Sequence, residues 1–181
     1  MPFATWWRGD ALPKLSPLPT FSARRSTDPV LLRRLTGLSE SVLAARFDAD
    51  HQIFPAFVAE EPAGYGWLAR RSGGIEELDY SFDLPDGDGY LWDFVTLPAW
   101  RGRGVYPHLL QAIVRQEPGV ERFWIGYEAN NQASARGIQK AGFQVIGDLA
   151  LTDSHVSGFV VTQPGARAEA AVAIFEPGAG P

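Results

Sequence analysis

The chain has 181 residues, of which 45% are hydrophobic and 20% are charged, values typical of one globular domain with a core of its own. Its formal net charge of −5 argues against a nucleic-acid partner and is compatible with a small cationic one. The absence of cysteine excludes disulfides, cysteine-based metal sites and a cysteine nucleophile, and the absence of a long apolar segment predicts a cytoplasmic protein with no membrane partner.

The first twenty residues are rich in tryptophan and proline, namely Trp6, Trp7, Pro13, Pro17 and Pro19. Prolines at this density disfavour helices and sheet interiors. We therefore predict an extended N-terminal arm over residues 1–20 and a single domain over residues 21–181. Two interpretations of the tryptophans remain open: they pack back onto the domain, or they contact a partner.

The segment after the arm predicts one strand and two helices. The strand is "FSARRST". Pro29 suits the first position of a helix that begins after Asp28, and Ser39 offers an N-cap for a second helix over "SESVLAARF".

An antiparallel meander is predicted next. Four strand-like runs follow one another, "FPAFVAEE", "GYGWLARR", "IEELDYSFDL" and "GYLWDFVTL". The turn signals "PAG", "SGG" and "PDGDG" separate them.

The rear half alternates helices and strands. A helix after "RGRG" stops at Pro118, "RFWIGYE" is a strand, a helix runs over residues 131–141, and "FQVIGDLAL" is a further strand. Either "SGFVVT" or "AAVAIFE" supplies the last strand. The order predicts a mixed α/β fold with an antiparallel front half and strand–helix–strand units behind it.

The loop "RGRG", residues 101–104, has the properties of an anion site. A helix start presents unpaired N–H groups and partial positive charge, glycines let a ligand approach, and arginines add charge. Phosphate or pyrophosphate is the natural ligand, although a tight turn with solvated arginines is the simpler alternative. The string matches neither a P-loop nor the dinucleotide fingerprint, which would need a glycine at Pro107.

Two stretches resemble the GNAT superfamily of acyl-CoA-dependent N-acyltransferases. "TLPAWRGRGVYPHLL" is similar to the family's acyl-CoA-binding motif through Arg101 and Gly104, although Tyr106 stands where the family usually has Gly or Ala. "NQASARGIQKAGF" is similar to the second motif through Asn131, Ser134, Gly142 and Phe143. The resemblance implies a mixed, mostly antiparallel central sheet flanked by helices, with acetyl-CoA as the acyl donor.

The resemblance also implies a set of cofactor-binding residues. The strand before the loop would pair with the pantetheine arm, the loop backbone would hold the pyrophosphate, and Asn131 would contact the pantetheine end or simply cap its helix. The implied set is Val95, Thr96, Leu97, Arg101, Gly102, Arg103, Gly104, Val105, Tyr106, Asn131 and Ser134.

Amine attack on a thioester needs a base, and two carboxylates are candidates. Asp93 interrupts the apolar strand "YLWDFVT". A carboxylate there would be half-buried, and desolvation would suit it to proton transfer, unless it forms a structural ion pair with an arginine. Glu128 is the second candidate, and its alternative is an exposed loop residue. Backbone N–H groups near Val95 and Leu97 would stabilise the oxyanion.

No acid for the departing thiolate is evident. Many family members place a tyrosine four residues before the Gly-Phe pair, and Ile138 stands there. Either Tyr106 donates the proton, or the thiolate leaves unprotonated beside the helix start. Tyr106 is equally compatible with packing under its helix.

These observations predict an N-acetyltransferase acting on a primary amine of a small molecule or peptide. The alternative is a non-catalytic acyl-CoA-binding or interaction module, and a homodimer is compatible with either. The acidic run "EELDYSFDLPDGDG" is a solvated face or lines the acceptor cleft, where it would favour a cationic amine. His51, His108 and His155 lack metal-ligand spacing, so no metal is predicted.

Overall fold

The computed structural model describes residues 1–153 and 155–176. An eight-stranded sheet has the order β10-β9-β1-β8-β7-β4-β3-β2, and β5 and β6 form a separate pair. The strands are β1 Pro2–Trp7, β2 Phe21–Ala23, β3 His51–Val58, β4 Glu61–Ala69, β5 Ser72–Ile75, β6 Tyr80–Asp83, β7 Asp88–Thr96, β8 Arg122–Gly126, β9 Gln144–Thr152 and β10 His155–Val161. The helices are α1 Pro29–Thr36, α2 Glu40–Asp48, α3 Val105–Gln116, α4 Gln132–Ala141 and α5 Ala166–Phe175.

The predicted fold class is confirmed. Within the described residues β7 and β8 are parallel and the other neighbouring strands of the large sheet are antiparallel. Adjacent strand residues alternate between cores, so Leu68 packs with α3 and α4 while Trp67 packs with α1 and α2. The second face continues under α5, where Phe175 is fully buried. In the described parts of the chain no helix is both long and apolar enough to cross a membrane.

The local signals for the first two helices are confirmed. Asp28 caps α1 by accepting from Val30 N at 2.9 Å, with Pro29 as the first helical residue. Ser39 caps α2 by accepting from Val42 N at 3.3 Å. These caps satisfy N–H groups that a helix start leaves unpaired.

The prediction of an N-terminal arm over residues 1–20 is wrong for its first part. Residues 2–7 form β1, which lies between β8 and β9 in the middle of the sheet. The prolines used for the prediction follow the strand, and Pro2 is its first residue, a position that strands tolerate. Trp6 is buried against α3, which excludes it as a partner contact, and Trp7 lies beside the Arg167 guanidinium at 4.8 Å.

The rest of that segment is also held against the domain. Arg8 donates to the carbonyl oxygen of Glu117 at 2.8 Å, at the end of α3, where a cation complements the helix dipole. Gln111, itself buried, donates to the Pro13 carbonyl oxygen at 2.9 Å. The end of the predicted domain, residues 177–181, lies outside the described residues.

Two further strand assignments are settled by packing. The run over residues 75–84 is not one strand, because a 3-10 turn at Glu76–Leu78 separates β5 from β6 and turns the pair onto α5. The last strand is β10, which contains "SGFVVT" up to Val161, whereas "AAVAIFE" lies mostly in α5. The alanines that recur along α5 favour a helix over a strand.

Candidate acyl-transfer cleft

The central feature of the site is a gap between two parallel strands. β7 and β8 are paired from Asp88 and Arg122 as far as Leu91 and Ile125, and the described chain shows no pairing beyond that point. A cavity of about 780 Å³ lies where they diverge, with walls from the end of β7, the loop before α3, and α4. The sheet therefore opens at the place where the sequence analysis put the cofactor.

A bulge in β7 accompanies this divergence. Asp93 has φ +47°, a left-handed conformation that is uncommon outside glycine. The register of β7 against β4 shifts between Tyr65 and Trp67, opposite this residue. Such bulges bend a strand and re-aim its side chains, and Asp93 is thereby among the residues that line the cavity.

The strand backbone beyond the bulge has a defined orientation. Leu97 N donates to the Ala63 carbonyl oxygen at 3.0 Å, so of the N–H groups near Val95 and Leu97 that of Leu97 itself is already bonded. Because strand residues alternate, Val95 also points its backbone groups towards β4, while those of Phe94 and Thr96 point towards the cleft. The Thr96 carbonyl oxygen accepts from Arg101 Nε at 3.2 Å.

The loop before α3 has the geometry of an anion site. Gly102 and Gly104 have φ of +75° and +84°, which explains the need for glycine at both. Gly104 caps α3 without a side-chain hydrogen bond. The loop N–H groups of residues 102–106 donate to no partner in the described chain and stand at a positive helix end.

Helix α4 forms the opposite wall. Asn131 accepts from Ser134 N at 2.9 Å, so the N-cap interpretation is confirmed, and both residues also line the cavity. Sequence reasoning missed Arg136 and Lys140, which line the cavity with Arg101. Their spacing of four residues on a helix was the available signal.

Arg103 behaves differently from these cavity-lining cations. Its guanidinium lies 5.2 Å from the Trp100 ring, and it is outside the cavity lining within the described residues. Of the two loop arginines, Arg101 is therefore the one that faces the cleft.

Tyr106 packs into the cleft wall in a pocket that α4 provides. Its ring lies 5.3 Å from that of Phe94, and its hydroxyl is 3.3 Å from Ser134 Oγ. A Cβ on Gly137 would overlap the Tyr106 ring, so a glycine on α4 accommodates the tyrosine that replaces the small residue of the first motif. Burial raises the pKa of Tyr106 to about 12. A glycine inside a helix was the overlooked signal.

Asp93 is both half-buried and ion-paired. Its side chain is 29% exposed, and Oδ2 accepts from Arg46 Nη1 at 2.8 Å. The Arg46 guanidinium lies over the rings of two neighbouring tryptophans, Trp67 and Trp92, at 4.7 and 4.4 Å. The ion-pair interpretation is confirmed, yet Asp93 Oδ1 accepts no hydrogen bond from the described residues and the residue borders the cavity.

The other acid–base candidates lie elsewhere. Glu128 is exposed and is not among the described residues that line the cavity, which matches its alternative as an exposed loop residue. Ile138 is fully buried in the core between α3 and the sheet, so α4 offers no acid at that position.

The acidic run before β7 does not line the cleft. Its residues lie in the 3-10 turn after β5, in β6, in the turn that follows and at the start of β7, and no acidic residue of 76–88 is among the described cavity residues. Asp88 is buried, which raises the pKa of its carboxyl, and it accepts from Arg122 Nε at 2.6 Å and Trp124 Nε1 at 2.8 Å. Of the two interpretations of this run, the structure therefore favours the solvated face, since its acidic residues other than Asp88 are exposed.

Comparisons with known proteins agree with this geometry. A profile described as the acetyltransferase (GNAT) family matches residues 18–143. No curated protein sequence matches the chain significantly.

Among solved structures, similar folds include one described as a GNAT-family acetyltransferase from Novosphingobium aromaticivorans, with TM-score 0.50, 16% identity, and coverage of 80% of this chain and 59% of that one. A GCN5-related N-acetyltransferase from Kribbella flavida has TM-score 0.50 and 16% identity, with coverage of 80% of this chain and 53% of that one. The aminoglycoside acetyltransferase AAC(6')-Ib in complex with coenzyme A has TM-score 0.54 and 20% identity, with 78% and 91% covered. The chain thus spans just over half the length of the first two structures, and these likenesses show a shared fold.

Proposed function

We propose that this chain, which belongs to the acetyltransferase (GNAT) family, transfers an acetyl group from acetyl-CoA to a primary amine of a small molecule or peptide. The observation that carries the proposal is the gap between β7 and β8, which opens beside a helix start whose N–H groups have no described partner. An extended thioester substrate with a phosphorylated end fits such a cleft.

The residues present suit a polyanionic donor. Gly102 has open space around it, so no side chain blocks the loop N–H groups. Arg101, Arg136 and Lys140 add positive charge to the cavity wall. Acetyl-CoA supplies the activated acetyl group, and these residues would hold its phosphates, with the Phe94 and Thr96 backbone along its arm.

Asp93 is the base in this proposal. It borders the cavity and has Oδ1 free of described donors, so it can accept a proton from the acceptor's amine. Arg46 fixes the carboxylate through Oδ2 and itself packs over the rings of two tryptophans. Holding the base in one orientation is what proton transfer at a defined atom requires.

Two measurements on the unmodified protein test the proposal. Calorimetric titration with acetyl-CoA should show one site per chain, and thiol release with acetyl-CoA should accelerate when a suitable primary amine is added. Excess inorganic pyrophosphate should weaken acetyl-CoA binding, and an unchanged Kd would contradict recognition of the pyrophosphate by the loop. A protein that binds no acetyl-CoA would overturn the proposal.

A non-catalytic acyl-CoA-binding module is the second candidate. It is favoured by one observation, the burial of Ile138 where a proton donor would stand. Thiol release separates the candidates, because a module would bind acetyl-CoA and show no amine-dependent release over a broad amine panel.

A further inference from the structure

The acceptor end of the cavity has an unusual charge for a site that takes amines. Among the described residues that line the cavity, Asp93 is the acidic one, and its carboxylate already binds Arg46 at 2.8 Å. Arg101, Arg136 and Lys140 are the cationic ones. These three cations are the residues that we place at the acetyl-CoA phosphates, so the acceptor end itself has a single described carboxylate, and that carboxylate is neutralised by Arg46.

This balance disfavours an acceptor with several ammonium groups. One amine of such an acceptor can lose its proton to Asp93 and be acetylated. The described lining contains no second carboxylate with which a further ammonium group could pair. An unpaired charge that leaves water is costly. The acidic run of residues 76–88, whose carboxylates could have paired with further ammonium groups, lies around the β5–β6 pair and outside the described cavity lining.

Aromatic side chains also line the cavity. Trp92, Phe94, Trp100, Tyr106 and Tyr127 all border the cavity. The Trp92 ring lies 4.4 Å from the Arg46 guanidinium that binds Asp93, so an aromatic ring lies close to the carboxylate. Aromatic walls favour flat or apolar ligands through burial and ring contacts.

Resting on the proposed function, we propose that the acceptor carries a single primary amine on an aromatic or otherwise apolar body, and that the site discriminates against polycations. Specificity of this kind comes as much from the charges that a wrong ligand leaves unpaired as from attraction to the right one. The assignment differs from the aminoglycosides that name AAC(6')-Ib, a protein similar to this chain in fold.

Two compounds that each offer a primary amine as the reactive group test the inference. 2-Phenylethylamine carries one amine, and neamine carries several. Each is titrated into the protein saturated with coenzyme A, and each is assayed for thiol release with acetyl-CoA. We expect 2-phenylethylamine to bind more tightly and to have the higher kcat/KM, by about tenfold or more at equal ionic strength. Equal or tighter binding of neamine overturns the inference.

The binding titration and the thiol-release assay together distinguish this inference from the proposed function. Preferential binding of 2-phenylethylamine without acetylation of either amine supports the acceptor class and overturns the acetyltransferase activity. Acetylation of neamine in preference to 2-phenylethylamine supports the activity and overturns the acceptor class. Failure of both amines to bind overturns the acceptor class as well.

A variant moves the selectivity in a defined direction. Arg46→Gln removes the cation that neutralises Asp93, so the ratio of neamine to 2-phenylethylamine affinity should rise by about tenfold. Arg33→Gln, an exposed arginine on α1, is the control and should leave the ratio unchanged. An unchanged ratio in a folded Arg46→Gln protein contradicts the charge argument, and the wild-type titrations stand independently of this variant.

Discussion

The two ends of the cleft are built in different ways. The end that we propose for the acetyl donor, called the donor end, consists mainly of backbone groups from consecutive residues, the loop of residues 101–104 and the first turn of α3. The end that we propose for the amine, called the acceptor end, is organised around Asp93 on β7, which binds Arg46 of α2, and Arg46 packs over Trp67 of β4. Backbone sites are recognisable from short motifs, whereas sites made of distant side chains exist only once the chain has folded.

The largest effect should follow from changing the acceptor end. Asp93→Asn removes the carboxylate that we propose as the base while its amide oxygen can still accept from Arg46. We expect kcat to fall by about 10²- to 10⁴-fold with acetyl-CoA binding unchanged. Steady-state kinetics and calorimetry on the same sample measure both.

The control for that variant is Asp86→Asn, in an exposed turn outside the cavity lining. It should have wild-type turnover. If Asp93→Asn keeps wild-type kcat, the carboxylate is not the base and the two ends of the cleft do not differ in the way described.

Replacing a glycine at the donor end should weaken the binding of acetyl-CoA. Gly104→Val places a side chain at the helix start, where φ is +84°. We expect the Kd for acetyl-CoA to rise by roughly tenfold or more, since an anion at a helix start gains up to about 2 kcal/mol. The variant also strains the backbone by about 1–2 kcal/mol.

Gly37→Val is a matched control for the strain. Gly37 ends α1, has φ +73°, and has open space around it, so the same substitution costs similar stability away from the cavity. Equal Kd values for the two variants would show that the Gly104 effect is strain and not access to the loop.

The contact between Tyr106 and Gly137 should affect the free energy of unfolding. Gly137→Ala puts a methyl group into the Tyr106 ring, so we expect a loss of about 1–3 kcal/mol in the free energy of unfolding, partly offset by better helix propensity. In a Tyr106→Ala background the same change should stabilise the protein. A double-mutant cycle by urea unfolding measures this reversal of sign, and additivity would contradict the pairing.

The smallest effect is expected from Tyr106→Phe. Burial holds the pKa of Tyr106 at about 12, so the phenol stays protonated and is a weak acid towards a thiolate whose conjugate acid has a pKa near 8.5. We expect turnover to fall by less than about tenfold. A larger fall with an unchanged melting temperature would restore the acid role for Tyr106.

Tyr106→Phe should also change how the stability of the protein depends on pH. The folded-state pKa is raised from 10 to about 12, so the stability that Tyr106 contributes is fully present below pH 10 and is lost as pH rises towards 12. Phenylalanine does not titrate. Wild type should therefore lose stability relative to Tyr106→Phe across this range, measured by chemical unfolding at each pH.

Much of the fold followed from local signals. Asp28, Ser39 and Asn131 cap the helices predicted for them, because a cap depends on a few adjacent residues. Gly102 and Gly104 have positive φ, which suits the tight turn that was one interpretation of the loop. The prediction over residues 1–20 failed because the place of a strand in a sheet depends on partners far along the chain, as with Phe3 and Gly126.

Short sequence patterns were sufficient for the family and for the loop at the start of α3, because a glycine-rich loop at a helix start sets its geometry within a few residues. The acceptor end was accessible only from the folded chain. Folding brought Arg46 to Asp93, moved the acidic run onto the β5–β6 pair, and placed Gly137 against Tyr106. Those arrangements depend on strand order, on a bulge in β7 and on helix packing, and each joins residues too far apart in the chain for any local pattern to record.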